Sequence, residues 1–373
     1  MKAVCDRAAL TNAVQSAASV VPHRSPKPAL GCIKVEAMSG SMTLLATDLE
    51  VGIRVEMTKL ETQEPGSCLI PADRFHGILR ELEVESVTLS SKNQETEIVA
   101  PGARFKIMGD DPADFPNIPS FPEQGAVTIL ADDLVGMIRR ALFATARENT
   151  RYALNGVLWE IEGTNVTLVA TDGRRLSLVK GKCKGGPEKM ISAIVPSKAM
   201  QLVEKQLANL NDSQATVRVA IGEKDVLLES PQADGNRWTI YSRLVDGHFP
   251  KYDDVIPKDC DKRATLSTQE FHAAVRKVAL LTNEESRGIH LKFNAEFVVL
   301  LSRTPEMGEA EVTIPAAYEG EAMEIGFNPA FLVDALKTME AEKFTFSFKG
   351  SSKPGIMTED RIFTYVIMPV SIV

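Results

Sequence analysis

The chain has little of what most metalloproteins and enzymes display. Its five cysteines (Cys5, Cys32, Cys68, Cys183, Cys260) lie scattered through 373 residues with no Cys-x-x-Cys pair. That spacing supports neither a zinc site nor a redox dithiol, and the odd number argues against a disulfide framework. The five histidines (His23, His76, His248, His272, His290) fall in no ligand spacing. Phosphate-binding loops, dinucleotide fingerprints and nucleophile elbows are missing. The expectation is no metal, no cofactor and no catalytic residue. Apolar runs of about 18 residues are also missing, so no membrane helix is expected. Met1–Arg7 lacks the apolar core of a signal peptide, and a cytoplasmic location is expected. A formal net charge of −8 excludes a surface that is basic everywhere, but leaves room for a local basic strip.

What is present is repetition. Leu44-Leu45-Ala46-Thr47-Asp48-Leu49-Glu50 returns as Leu168-Val169-Ala170-Thr171-Asp172-Gly173-Arg174, with Asp48 and Asp172 124 positions apart. A period this long marks repeated domains rather than a solenoid of small units. A catalytic reading of the two aspartates is disfavoured, because carboxylates of homologous domains would stand far apart. Thr-Asp-Leu and Thr-Asp-Gly read as turns.

Six segments have apolar residues at helix spacing. They are Leu10 to Val21, Phe75 to Leu82, Leu134 to Leu142, Met200 to Leu210, Phe271 to Val278 and Leu332 to Met339. Asp6, Asp73, Asp132, Ser197, Ser267 and Asn328 stand at their starts, where such residues satisfy free amides and complement the dipole. The second helix of each repeat follows a short strand and a proline region: Leu69-Ile70-Pro71, Ile194-Val195-Pro196 and Asn328-Pro329. Segments such as Val166–Ala170 and Phe344–Phe348 read as strands, and Gly163-Thr164-Asn165, Gly222-Glu223 and Asn294-Ala295-Glu296 as turns. Each third is thus α+β, with two helices on antiparallel sheet. The expected domains are 1–122, 123–257 and 258–373.

Six packed helices spaced about 9–10 Å apart give a ring too narrow for duplex DNA. Twelve leave roughly 26 Å clear, enough for a duplex about 20 Å wide. Two chains could therefore encircle it. Arg7, Arg74, Arg80, Arg139, Arg140, Lys198, Lys205, Arg276, Lys277 and Lys337 lie off the apolar stripes and are candidates for a phosphate-facing wall.

Six motifs in order along the chain resemble the bacterial replicative sliding clamp family, the beta subunit of DNA polymerase III. They are Thr47–Glu50, Arg151–Gly156, Ala170–Leu176, Leu244–Pro250, Asn283–Gly288 and Tyr365–Val370. The resemblance implies three clamp domains per chain and a head-to-tail homodimeric ring with helices lining the central channel. It implies sequence-independent binding of duplex DNA, opening by a clamp loader, and tethering of DNA polymerases and repair proteins through short peptide motifs. No hydrolysis is implied. The peptide pocket maps onto Leu154, Thr171, Gly173, Arg175, Leu176, Pro250, Val255, Val366 and Met368, with an adjoining subsite at Arg151, Pro369 and Val370. Threonine and arginine are expected to anchor polar groups of the peptide. Ala153, where the family often has an aromatic, predicts a wider second subsite, and Asp253 and Asp254 predict a more acidic rim. Arg24 and Lys27, in the loop Pro22–Pro28, join Arg74, Arg80, Arg139, Lys198, Lys205, Arg276 and Lys277 as expected DNA contacts. Phe105 of one protomer is expected to meet Leu280 and Leu281 of the other. The competing reading is a clamp-like paralogue that scaffolds proteins without being loaded on DNA.

Overall fold

The computed structural model describes residues 1–373 apart from 23, 147–151, 209, 211, 213, 283–287, 306 and 371–373. Six α-helices are present among them: α1 (Arg7–Ala18), α2 (Ala72–Glu81), α3 (Ala131–Leu142), α4 (Ser197–Leu207), α5 (Thr268–Ala279) and α6 (Pro329–Leu336). They are the six the periodicity predicts. Three caps are visible as bonds. The Asp6 carboxylate accepts from the Ala9 amide at 2.7 Å, Ser267 Oγ from Glu270 at 3.4 Å, and Asn328 Oδ1 from Ala330 at 2.9 Å. Asp73 sits inside the first turn of α2, whose cap position is Pro71.

Val21, Leu210 and Met339 continue the apolar spacing but lie beyond the helix ends. In each case the exit is carried by tighter three-residue bonds, such as Val21 N to Ala18 O (3.2 Å), Leu210 N to Leu207 O (3.0 Å) and Thr338 N to Ala335 O (3.0 Å). The angular spacing survives a tightened last turn, so the pattern overruns the helix.

The chain packs as two compact units. The first holds Met1–Asp132, Cys183–Gly186 and Lys198–Leu244. A five-stranded antiparallel sheet there ends on the edge strand Ala103–Met108. An eight-stranded sheet joins strands from before and after residue 123: Val51–Met57 pairs with Asn236–Arg243 from Asn236↔Met57 to Ser242↔Val51. The second unit holds Asp133–Lys182, Pro187–Ser197 and Val245–Val373. Its nine-stranded sheet is continuous through Arg175–Lys182 against Phe363–Ile367, and its four-stranded sheet ends on the edge strand Gly308–Pro315. The middle third of the sequence thus gives strands to both large sheets.

Buried aromatics dominate part of the second unit. Phe344-Thr345-Phe346-Ser347-Phe348 alternates across its strand, so all three rings face inward and are buried. Phe346 and Phe348 stand 4.3 Å apart by ring centroids, and Phe327, Phe293 and Phe271 complete the cluster. This cluster anchors α5, whose stripe Phe271, Ala274, Val275 and Val278 is buried.

Candidate functional site

The repeated Thr-Asp phrase folds into one turn built twice. Thr47 Oγ1 donates to Val51 O (2.8 Å) and accepts from Leu49 N (2.9 Å), while Asp48 Oδ1 accepts from the Glu50 and Val51 amides. Thr171 Oγ1 donates to Arg175 O (2.6 Å) and accepts from Gly173 N (3.1 Å), while Asp172 Oδ1 accepts from the Arg174 and Arg175 amides. The turn reading of both aspartates holds. Leu49 and Gly173 occupy equivalent left-handed positions, at φ 82° and 87°.

The Asp172 turn borders an apolar cluster in the second unit. Leu158, Val169, Leu176, Leu178, Ile194 and Val366 form its floor. Ala153, Val245, Phe249, Tyr252 and Ile256 pack against it only partly buried. The cluster is thus a buried floor whose cover is partly exposed. At its mouth Val255 is 53% exposed and Met368 46% exposed, an unusual state for large apolar side chains next to an apolar floor. Gly173 and Pro250 are exposed, whereas Leu154, Thr171, Leu176 and Val366 are buried. Pro369 and Val370 are half-buried, with Val370 N donating to Gly326 O at 2.9 Å. Arg151 lies outside the described residues.

Two expected polar anchors are already engaged. The Thr171 hydroxyl serves the turn. Arg175, 6% exposed, donates through Nε to Asp172 (3.0 Å), through Nη1 to Asp334 (2.8 Å) and through Nη2 to Phe143 O (2.8 Å). Its guanidinium also lies over Phe331 at 4.4 Å. Arg175 therefore supports the groove wall with its charge neutralised by two carboxylates. The sequence reading missed Phe249 and Tyr252. Their signal was available, since Phe115-Pro116 in the first linker matches Phe249-Pro250, and Ile118 and Tyr252 both follow their phenylalanine by three. Tyr252 Oη donates to Glu160 Oε2 at 2.6 Å, and burial together with that carboxylate pushes the phenol well above its ordinary value. Asp253 and Asp254 are exposed beside it.

The candidate DNA contacts Arg24, Lys27, Arg74, Arg80, Arg139, Lys198, Lys205, Arg276 and Lys277 are all exposed. Arg80 pairs with Glu81 at 3.0 Å and Lys198 with Asp48. Near the end of α5, Arg276 and Lys337 add to burial in lowering His272, which places positive field on this helix face. Arg140 departs from expectation. It is held by Glu340 (3.2 Å) and Glu359 (3.6 Å) with its side chain 12% exposed, so it is a packing cation rather than part of an open wall. Arg7 likewise spends its Nε on Val84 O at 3.2 Å.

Phe105 is half-buried on the edge strand Ala103–Met108. Leu280 caps α5 at 74% exposure, and Leu281 is half-buried. Leu280 therefore does not finish the core stripe of α5, which closes at Val278. Burial holds Cys5 and Cys32 protonated, with both thiols pushed up to about 12. Among the described residues no group of three His, Cys, Asp or Glu could hold a metal ion, and no helix is long and apolar enough to cross a membrane.

Comparison with known proteins places these features in one family. Residues 1–119, 128–251 and 253–371 match, in turn, the N-terminal, central and C-terminal domains of the DNA polymerase III beta subunit. The chain is 30% identical over 371 residues to the beta sliding clamp of Chlamydia muridarum, covering 99% of both chains. It is 29% identical over 384 residues to that of Bacillus subtilis, again with 99% of both covered. The crystal structure of the Bacillus subtilis DNA polymerase sliding clamp superimposes with a TM-score of 0.94 at 29% identity, over 100% of each chain. A Pseudomonas aeruginosa clamp bound to griselimycin gives 0.92 at 29% identity, also over 100% of each. Nothing in these relatives favours the scaffold alternative. The chain belongs to the DNA polymerase III beta subunit family, the sliding clamps that give the replicative polymerase its processivity and are not themselves catalytic.

Proposed function

We propose that two copies of this chain close head to tail into a ring around duplex DNA. A clamp loader opens the ring, and polymerases and repair proteins are held through short peptides in the groove beside Asp172. The observation that carries the peptide reading is the apolar floor Leu158, Val169, Leu176, Leu178, Ile194 and Val366 with Met368 and Val255 left exposed at its mouth. Such a groove offers apolar anchoring with few polar groups. Griselimycin, the ligand held by the Pseudomonas clamp, is expected to compete there.

Two features support the ring. The edge strand Ala103–Met108 exposes Arg104 and Lys106, and the edge strand Gly308–Pro315 exposes Glu309 and Glu311. Arg104 and Lys106 already face Glu97 and Glu95, and Glu309 faces Arg303, so the two sheet edges themselves carry the proposed strand-to-strand pairing, and one such contact per junction closes a ring when the rotation is right. Phe105, Leu280 and Leu281 supply apolar area for the same junction. The exposed cations of the helices and of the Arg24–Lys27 loop are proposed to meet phosphates, contacts that carry no sequence information and permit sliding. The three domains are proposed to be 1–122, 123–257 and 258–373, and the protein to act in the cytoplasm.

The decisive experiment loads the protein onto nicked circular plasmid with a cognate loader and ATP, then linearises the plasmid. Retention followed by release is the expected result. Failure to load, with an intact dimer and a loader proven on another clamp, overturns it. Phe105→Arg or Leu281→Arg is expected to give monomers by light scattering, and an unchanged mass would remove these residues from the junction.

A further inference from the structure

We propose that Asp334, on α6 and outside the apolar floor, is the positioning residue of the groove: it fixes Arg175, and through Arg175 the Asp172 turn, in the shape that receives a peptide. The inference rests on the groove being the peptide site.

The chain of contacts is short. Asp334 Oδ2 accepts from Arg175 Nη1 at 2.8 Å. The same guanidinium donates through Nε to Asp172 Oδ2 at 3.0 Å and through Nη2 to Phe143 O at 2.8 Å. Phe331 lies beneath it at 4.4 Å and Phe143 at 5.4 Å. A guanidinium is a rigid plane, so fixing its three nitrogens fixes its orientation. Asp172 is thereby held from its Oδ2 side while its Oδ1 takes the amides of Arg174 and Arg175. The residue after Arg175 is Leu176, part of the groove floor. The turn and the floor are thus referenced to α6 through one ion pair. A buried arginine that loses one of two carboxylates keeps an uncompensated charge, and the side chain must move or draw in water. Either change shifts the Asp172 turn.

The first copy of the turn shows the arrangement without this tie. Val51 stands where Arg175 does, and Asp48 is met instead by Lys198, whose side chain is 54% exposed. The apolar cluster beside that copy is covered by its own linker.

The test measures griselimycin binding to the full-length protein by calorimetry, with hydrogen exchange followed at the Gly173, Arg174 and Arg175 amides. Met368→Ala reports on the groove itself. Asp334→Asn keeps the shape of the side chain and removes its charge. Glu340→Gln, which alters a partner of Arg140 only, is the control. The expected result is weaker binding for Met368→Ala, about tenfold weaker binding for Asp334→Asn, and no change for Glu340→Gln. Exchange at the three turn amides is expected to accelerate in Asp334→Asn. Wild-type affinity in Asp334→Asn, with Met368→Ala weakened, overturns the positioning role and leaves the groove standing. Weaker binding without faster exchange at those amides separates the loss from the turn and also overturns it, as does faster exchange at every amide alike, the mark of general destabilisation. Unchanged affinity in Met368→Ala and Leu176→Ala removes the groove and the proposal together. If Asp334→Asn does not fold, Phe331→Leu, which removes the ring beneath the guanidinium, is read by the same criteria.

Discussion

The chain builds one turn and one apolar cluster twice, and the two copies differ in how they are covered. In the first unit, Ala29, Cys32, Leu45, Leu69, Phe115 and Ile118 form a cluster in which the linker residues Phe115 and Ile118 are buried at 7% and 5% exposure, with Tyr241 packed half-buried against it. In the second, Phe249 and Tyr252 at the matching linker positions are only partly buried. Strand register identifies the cause. Gly52 pairs with Thr47 as Leu176 pairs with Thr171, and Ile118 packs on Gly52, its Cγ2 3.2 Å from where a Cβ would stand. A leucine at the second position fills the equivalent space and becomes floor. Lys34 and Arg54 are likewise matched by Leu158 and Leu178, which widens the apolar area from the same register positions. A few side-chain exchanges on a shared frame therefore separate a cluster with a buried linker from one with a half-buried linker.

Four substitutions break or sharpen this contrast. Leu176→Ala removes the side chain that distinguishes the open copy. It is expected to cost about 3 kcal/mol in calorimetric unfolding and to weaken ligand binding, since a buried leucine is lost and a cavity left. Retention of both properties would detach Leu176 from the groove. Gly52→Leu imposes the second copy's choice on the first. Displacement of Ile118 is expected to cost about 1–3 kcal/mol and to speed proteolysis between residues 112 and 122. An unchanged cleavage rate would show that the linker is held by other contacts. Gly173→Leu places a side chain at φ 87° with no steric neighbour, so the cost is that of the left-handed backbone alone, about 1–2 kcal/mol in the melting profile. The smallest effect is the reverse exchange. Leu49→Gly relieves the same conformation at φ 82° against the entropy of a freer chain, for a gain of about 0.5 kcal/mol. A loss of stability there would mean that the Leu49 side chain packs more than its 44% exposure suggests.

Much of this was readable in order along the chain. The six helices followed from apolar spacing, and three of their starts from Asp6, Ser267 and Asn328. The twin turns followed from Thr-Asp phrases whose hydrogen bonds stay within five residues. Groove residues such as Leu154, Leu176 and Val366 could be named from the family resemblance, but their periodicity alone matches an ordinary core. Arg140, expected on a phosphate-facing wall, and Arg175, expected in the peptide pocket, both have carboxylate partners that the sequence did not reveal. Their partners lie far away in sequence, Arg140 with Glu340 and Glu359 and Arg175 with Asp334, and no local pattern announces a carboxylate delivered from a distant part of the chain.

The sequence by itself determined the elements, the repeat and the turns, because helix spacing, capping and Thr-Asp chemistry act over a few residues. Tertiary structure alone decided which cations are tied into buried ion pairs, how the middle third is shared between two sheets, and which copy of the cluster keeps a partly exposed cover. Those outcomes depend on cross-strand register and on side chains far apart in sequence, where a glycine or a leucine at one ladder position goes with a linker that lies buried or only half-buried.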